Sequence, residues 1–188
     1  MNRELLEQKE KVDFESILNV HGKNEDGQTP LHMAASRGHV ELVISLIERG
    51  AELNSKSNFG YTPLHYAANQ SGVDIAKVLI ESGAEVNAQS DFEYTPLHYA
   101  AHHGKTEVVK LLVENGATLN KQNTFGFTPL HYAATHGRFD AAKILIEKGA
   151  ALHLEDEDGN TALDLAKRSG YADIAEIIET ALNSDKFI

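Results

Sequence analysis

The sequence predicts an all-α repeat solenoid, built from helix–turn–helix units and hairpin loops with a period of 33 residues. Three observations carry that prediction. The dipeptide Thr-Pro recurs at Thr29, Thr62, Thr95 and Thr128, each 33 residues after the last; a fifth copy, Thr161-Ala162-Leu163-Asp164, keeps the step with altered letters. A glycine column (Gly50, Gly83, Gly116, Gly149) and an acidic column (Glu41, Asp74, Glu107, Asp140, Asp173) keep the same step, so nothing is inserted or deleted between units. Within a unit, apolar residues recur at helical spacing, as in Ile75, Val78, Leu79 and Val108, Leu111, Leu112.

Each column has a local physical reason. The threonine is a helix N-cap, whose hydroxyl accepts from an early helical N–H. The proline after it occupies the first helical position, where a missing N–H costs nothing. Leu31 and Ala34 then share one face, and the paired alanines that follow let neighbouring helices approach closely. This first helix ends near Gly38, Gly104, Gly137 and Gly170. A second helix opens on the acidic column, favoured at the positive end of the helix dipole. The next glycine column supplies its left-handed terminus. A polar stretch ending in Gly27, Gly60, Gly126 or Gly159 forms the tight turn into the following unit. One such unit has an apolar face that it cannot cover alone, and stacking buries a continuous core.

The motif that repeats, TPLHMAA once and TPLHYAA three times, with the weakened TALDLAK at the end, closely resembles the core of the ankyrin repeat family. The resemblance extends from about Asn24 to the C-terminus. It implies a single elongated, slightly curved domain over 1–188, with a helical cap over 1–25 and repeats over about 26–58, 59–91, 92–124, 125–157 and 158–188. Leu5, Leu6, Val12, Phe14, Ile17 and Leu18 supply the apolar positions of the first cap. Lys167, Arg168, Glu176 and Glu179 give the last repeat the polar outer face of a terminal unit. Ser184 to Ile188 is expected to fray.

Composition narrows the function classes. The formal charge is −11 with no basic segment, which argues against binding a phosphate backbone. There is no cysteine, hence no disulfide framework, thiolate metal site or cysteine nucleophile. The N-terminal MNRELLEQKEK lacks the apolar core of a secretory signal, and no segment approaches the ~20 apolar residues of a membrane span. A cytoplasmic location is the default expectation. No phosphate-cradling loop, nucleophile elbow or convergent acid–base pair is present, so no enzyme activity and no cofactor are expected.

Three columns invite a chemical reading. His32, His65, His98 and His131 stand one per repeat, and equivalent atoms of stacked helices lie roughly 8–10 Å apart, too far for one metal ion. The resemblance gives these imidazoles a structural bond to the cap threonine and the neighbouring backbone. His102, His103 and His136 close the first helices, beside the positions of Arg37, Gln70 and Ser169. In the family this region contacts partners, and histidine titrates near neutrality. Asn54, Asn87 and Asn120 follow the LxxGAxxN pattern, whose asparagine braces the hairpins in the family and is hydroxylated in some members; His153 breaks the column.

The aromatic residues are the most selective signal. Nine of the 13 Phe and Tyr occupy three columns of the central repeats: Phe59, Phe92, Phe125; Tyr61, Tyr94, Phe127; and Tyr66, Tyr99, Tyr132. The first repeat has Asp26, Gln28 and Met33 there, and the last has Asp158, Asn160 and Leu165. A purely structural demand would apply to the end repeats too. The resemblance puts the first two columns at the hairpin tips and the third along the inner helices, facing the groove. An apolar band with polar margins marks an interaction site, whereas rings packed edge to face would stiffen the hairpins. Binding is the expected role of the two tip columns, and packing with a groove-facing edge that of the Tyr66 column. Glu93 replaces the turn glycine of the other repeats, so either that turn differs in shape or a carboxylate amid the aromatics is worth the strain, and Glu93 is expected to join the partner-binding residues. Ser71-Gly72 shifts another glycine by one step. The expected function is non-catalytic binding of a partner protein, basic around an apolar anchor, by a monomer acting as adaptor, scaffold or inhibitor. Polar contacts are expected from His102, His103, His136 and Arg37. The alternatives are self-association through the aromatic band, or a bacterial effector acting on a host protein.

Overall fold

The computed structural model describes residues 19–69 and 73–184. The helical cap expected from Leu5 to Leu18, the position of Gln70, the altered turn at Ser71-Gly72 and the chain end beyond Ser184 lie outside the described residues. Among the described residues ten helices form five antiparallel pairs. They are α1 (Pro30–Arg37), α2 (Val40–Glu48), α3 (Pro63–Asn69), α4 (Val73–Glu81), α5 (Pro96–His102), α6 (Thr106–Glu114), α7 (Pro129–Thr135), α8 (Phe139–Glu147), α9 (Ala162–Arg168) and α10 (Ala172–Ser184). The odd-numbered helices stack on one another as an inner layer and the even-numbered ones as an outer layer.

Identical columns build the core. Leu31, Leu64, Leu97 and Leu130 are buried on the inner helices, and Leu46, Leu79, Leu112, Leu145 and Ile178 on the outer ones. The pairs Ala34-Ala35, Ala67-Ala68, Ala100-Ala101 and Ala133-Ala134 are almost inaccessible, as close helix approach requires. The last repeat ends the stack as a polar surface, with Lys167 Nζ and Glu179 Oε1 paired at 2.6 Å.

The loops are tight turns rather than paired strands. A single bridge, Glu155 with Thr161, has β geometry among the described residues. Each loop is instead closed by two backbone bonds, such as Ser57 N–H to Tyr61 C=O and Gly60 N–H to Ser57 C=O, both at 2.9 Å. Successive loops are tied by another: Asp91 N–H donates to Phe59 C=O, Thr124 N–H to Phe92 C=O and Glu157 N–H to Phe125 C=O, at 3.1 to 3.2 Å. The hairpins therefore form a continuous row with a fixed repeat-to-repeat register.

Candidate functional site

The row of hairpins and the inner helices meet in a corner, where the predicted aromatic and histidine residues lie. The histidine column positions everything else there. In α1, α3, α5 and α7 the third helical residue is His32, His65, His98 or His131, and its Nδ1 accepts from the N–H of the cap threonine at 3.0 to 3.1 Å. The threonine hydroxyl lies 2.7 to 2.9 Å from the same nitrogen. The hydroxyls of Thr128 and Thr161 also accept from the third helical N–H, at 3.3 Å each. Nε2 then donates to a carbonyl in the next hairpin: Tyr61, Tyr94, Phe127 or Asn160. A donor facing Nδ1 and an acceptor facing Nε2 fix the neutral Nε2–H tautomer. Burial lowers all four imidazoles, His65 and His98 to about 4, against the opposing pull of the carbonyl each one bonds. This column is a set of inter-repeat struts.

The asparagine column is a second set. Asn54, Asn87 and Asn120 Oδ1 accept from Glu85, Thr118 and Ala151 N–H one repeat ahead, at 2.8 to 2.9 Å. A third column escaped the sequence reading although it keeps the same step: Asn24, Ser57, Ser90, Asn123 and Asp156. Asn24, Asn123 and Asp156 each present Oδ1 to two N–H groups of their own loop, at 2.8 to 3.1 Å. Recurrence of Asn, Ser and Asp at the loop entrance was the available signal.

The two tip columns separate. Phe59, Phe92 and Phe125 project outward, 58 %, 44 % and 47 % exposed, although their carbonyls are pinned to the next repeat. Among the described residues none of them makes a ring–ring contact. Tyr61, Tyr94 and Phe127, two residues later, turn back over the inner helices. Tyr61 meets Tyr66 at 6.3 Å and Tyr99 at 5.4 Å between centroids, edge to face. Tyr94 reaches Tyr132, with the two hydroxyl oxygens 2.7 Å apart, and Phe127 lies 5.1 Å from the Tyr132 ring. Tyr66 and Tyr99 are half-buried and Tyr132 is buried. These six rings form one ladder across three repeats. Gln28 Nε2 donates to the Tyr66 hydroxyl and Asn123 Nδ2 to that of Tyr132. Burial pushes the hydroxyls of Tyr99 and Tyr132 up, so both stay protonated.

His102, His103 and His136 come together at one end of the ladder. The ring centroids of His102 and His136 are 4.0 Å apart, and those of His102 and His103 are 4.5 Å apart. Burial lowers His102 to about 4, with His136 and His103 adding to the effect, and burial also lowers His103. His136 Nδ1 donates to Tyr132 C=O at 3.0 Å. Arg138, which the sequence reading did not single out, donates Nε–H to His102 C=O at 2.9 Å. It lies across Gly104, where an added Cβ would come within 2.8 Å of Arg138 Cδ. No group of three His, Asp or Glu among the described residues is arranged to hold a metal ion. Arg37 is exposed at the end of α1, two repeats from this cluster.

Glu93 keeps the shape of the turn it replaces. Its φ is +60°, close to the +75° of Gly60, and its carboxylate pairs with Lys121 Nζ in the next loop. The turn is conserved in geometry, and the ion pair offsets its strain from within the chain.

A family model described as ankyrin repeats (3 copies) matches residues 3–90 and 97–186, nearly the whole chain. The chain belongs to the ankyrin repeat family. Ankyrin repeats are in general protein–protein interaction modules without catalysis. Among the described residues no helix is long and apolar enough to cross a membrane.

Proposed function

We propose that the chain binds a partner protein through Phe59, Phe92 and Phe125, with the acidic and polar residues around these rings as its rim. The observation that carries this reading is the split between the two aromatic columns. One column folds back and packs, whereas the other holds three large apolar rings in solvent on a backbone fixed by inter-repeat bonds. Rigid, exposed aromatic side chains lose little conformational freedom on binding, and aromatic rings dominate interface cores. Asp26, Asp91 and Asp158 lie exposed along the same row of tips, which favours a partner that is basic around an apolar anchor. Glu93 is occupied by Lys121 and acts on the shape of the row. In this reading Tyr61, Tyr94 and Phe127 are the support behind the surface, and Tyr66, Tyr99 and Tyr132 add a groove-facing edge. His102, His103 and His136 supply polar contacts at one end of the ladder, and Arg37, two repeats away, supplies another. The chain acts without catalysis, as an adaptor, scaffold or inhibitor.

The test is capture from a lysate of the source cells by wild type and by a Phe59→Ala/Phe92→Ala/Phe125→Ala variant. Circular dichroism melting of both proteins runs alongside. The expected result is a variant that melts within a few degrees of wild type and loses the captured partner. Retention of the same partner by the folded variant refutes the surface. A melting point far below wild type shows that the rings are structural.

A further inference from the structure

Between the first two steps of the aromatic ladder lies a cavity of about 120 Å³, lined by Tyr61, His65, Tyr66, Asn69 and Tyr99. We propose that this cavity is an anchor site for one cationic side chain, an arginine or lysine of the bound protein; the proposal rests on the protein-binding reading above and adds a second, separate contact to it.

The walls carry the argument. Tyr61 stands almost perpendicular to both Tyr66 and Tyr99, at 84° and 83°, so three phenol rings enclose a corner instead of closing into a stack. Ring faces are the negative ends of the aromatic quadrupole and attract guanidinium and ammonium groups. The fourth wall is the imidazole of His65, which offers no competing charge. Its Nδ1 accepts from Thr62 and its Nε2 donates to the Tyr94 carbonyl, so both nitrogens are committed. Asn69, exposed at the end of α3, adds a neutral amide to the lining. The space is well above the roughly 10–15 Å³ that a single water needs on the same measure, and it admits a planar guanidinium group. The protein as a whole carries a charge of −11, which draws a basic partner toward it.

The next cavity along the ladder makes the choice specific. It has about 160 Å³ and shares Tyr61 and Tyr99, but it is also lined by His102 and His103. The guanidinium of Arg138 bonds the carbonyl of His102 there. Arg138 acts on two residues of the second lining, His102 and His103, whereas the cation that acts on His65 in the first is Lys56, whose Nζ donates to the Gln89 carbonyl. The first is therefore the cation site.

Single-residue probes test the anchor without any partner: N-acetyl-arginine amide, its neutral isostere N-acetyl-citrulline amide, and N-acetyl-leucine amide. Binding is followed through amide chemical shifts in ¹⁵N-labelled protein. The expected result is saturable shifts at Tyr66, Asn69 and Tyr99 with the arginine probe, and at least tenfold weaker binding of the citrulline and leucine probes. Tyr66→Phe keeps the ring and keeps binding, and Tyr66→Leu weakens it at least tenfold. If Tyr66→Leu fails to fold, the three probes on wild type still decide. Equal binding of arginine and citrulline, tighter binding of leucine, or arginine shifts confined to the acidic tips overturns the proposal. Each of these failures leaves capture through the phenylalanine tips untouched, and loss of tip capture leaves the arginine titration untouched.

Discussion

At the residue scale, two loop positions show how local conformational cost is met. Glu93 adopts φ +60°, a conformation that costs a non-glycine residue on the order of 1 kcal/mol. Its half-exposed pair with Lys121 returns no more than about the same amount. The position stood out because glycine fills it in the other repeats, but the sequence left the shape of the turn open, and the lysine was not legible, since it stands in the next loop. Ser57 is the opposite case. Its hydroxyl is buried without a hydrogen-bond partner, whereas Asn123 and Asp156 at the same loop position each accept from two N–H groups. Replacing Ser57 by Asn supplies an acceptor of the right reach. We expect Ser57→Asn to stabilise the chain by about 1 kcal/mol, raising the melting temperature by about 2–4 °C for a chain of this size. A melting curve measures it, and a lower midpoint means that the second loop cannot house the longer side chain.

At the element scale, the short inner helices depend on the threonine–histidine cap. Seven or eight residues are too few for a stable isolated helix, so capping and stacking must supply the order. The cap links stability to pH. His65 and His98 titrate near 4 when folded and near 6.5 when unfolded, so between those values the unfolded chain binds more protons. Their contribution is complete above about pH 6.5, is lost as pH falls toward 4, and is on the order of 3 kcal/mol for each. Urea midpoints for wild type should therefore drop between pH 7.5 and 5. A His65→Gln/His98→Gln variant should show a shallower drop, the remainder being carried by His102 and by His32, His103 and His131, because glutamine reproduces the capping acceptor without titrating in this range. An equally steep drop in the variant would assign the pH dependence to other groups. The threonine cap and its proline were legible from their recurrence, and the histidine's part in the cap was implied by the resemblance to the family. Its second bond, from Nε2 to a carbonyl 29 residues ahead, required the stacking geometry.

At the scale of the whole molecule, a 33-residue period without insertion makes the stacking order legible from the sequence, because each unit must cover its neighbour. The split between the two aromatic columns was less legible. Phe59 and Tyr61 are both aromatic, sit two residues apart in one loop and recur together, so their composition gives them the same role. Only the turn separates them, sending the first ring to solvent and the second onto Tyr66 and Tyr99. The histidine cluster was anticipated as three residues on neighbouring helices, but its contact with Arg138 was not, because a missing Cβ at Gly104 is what admits the arginine. The central claim is that the outward phenylalanine row, and not the outer-helix face, meets the partner. Site-specific photo-crosslinking tests it most directly, with a benzophenone amino acid placed in turn at position 59, 92, 125 or 44. Ile44 is 40 % exposed on the outer helix α2 and so serves as the comparison. One and the same protein should be crosslinked from all three tip positions and not from position 44; crosslinking of a shared partner from position 44 with none from the tips would overturn the phenylalanine row as the binding surface.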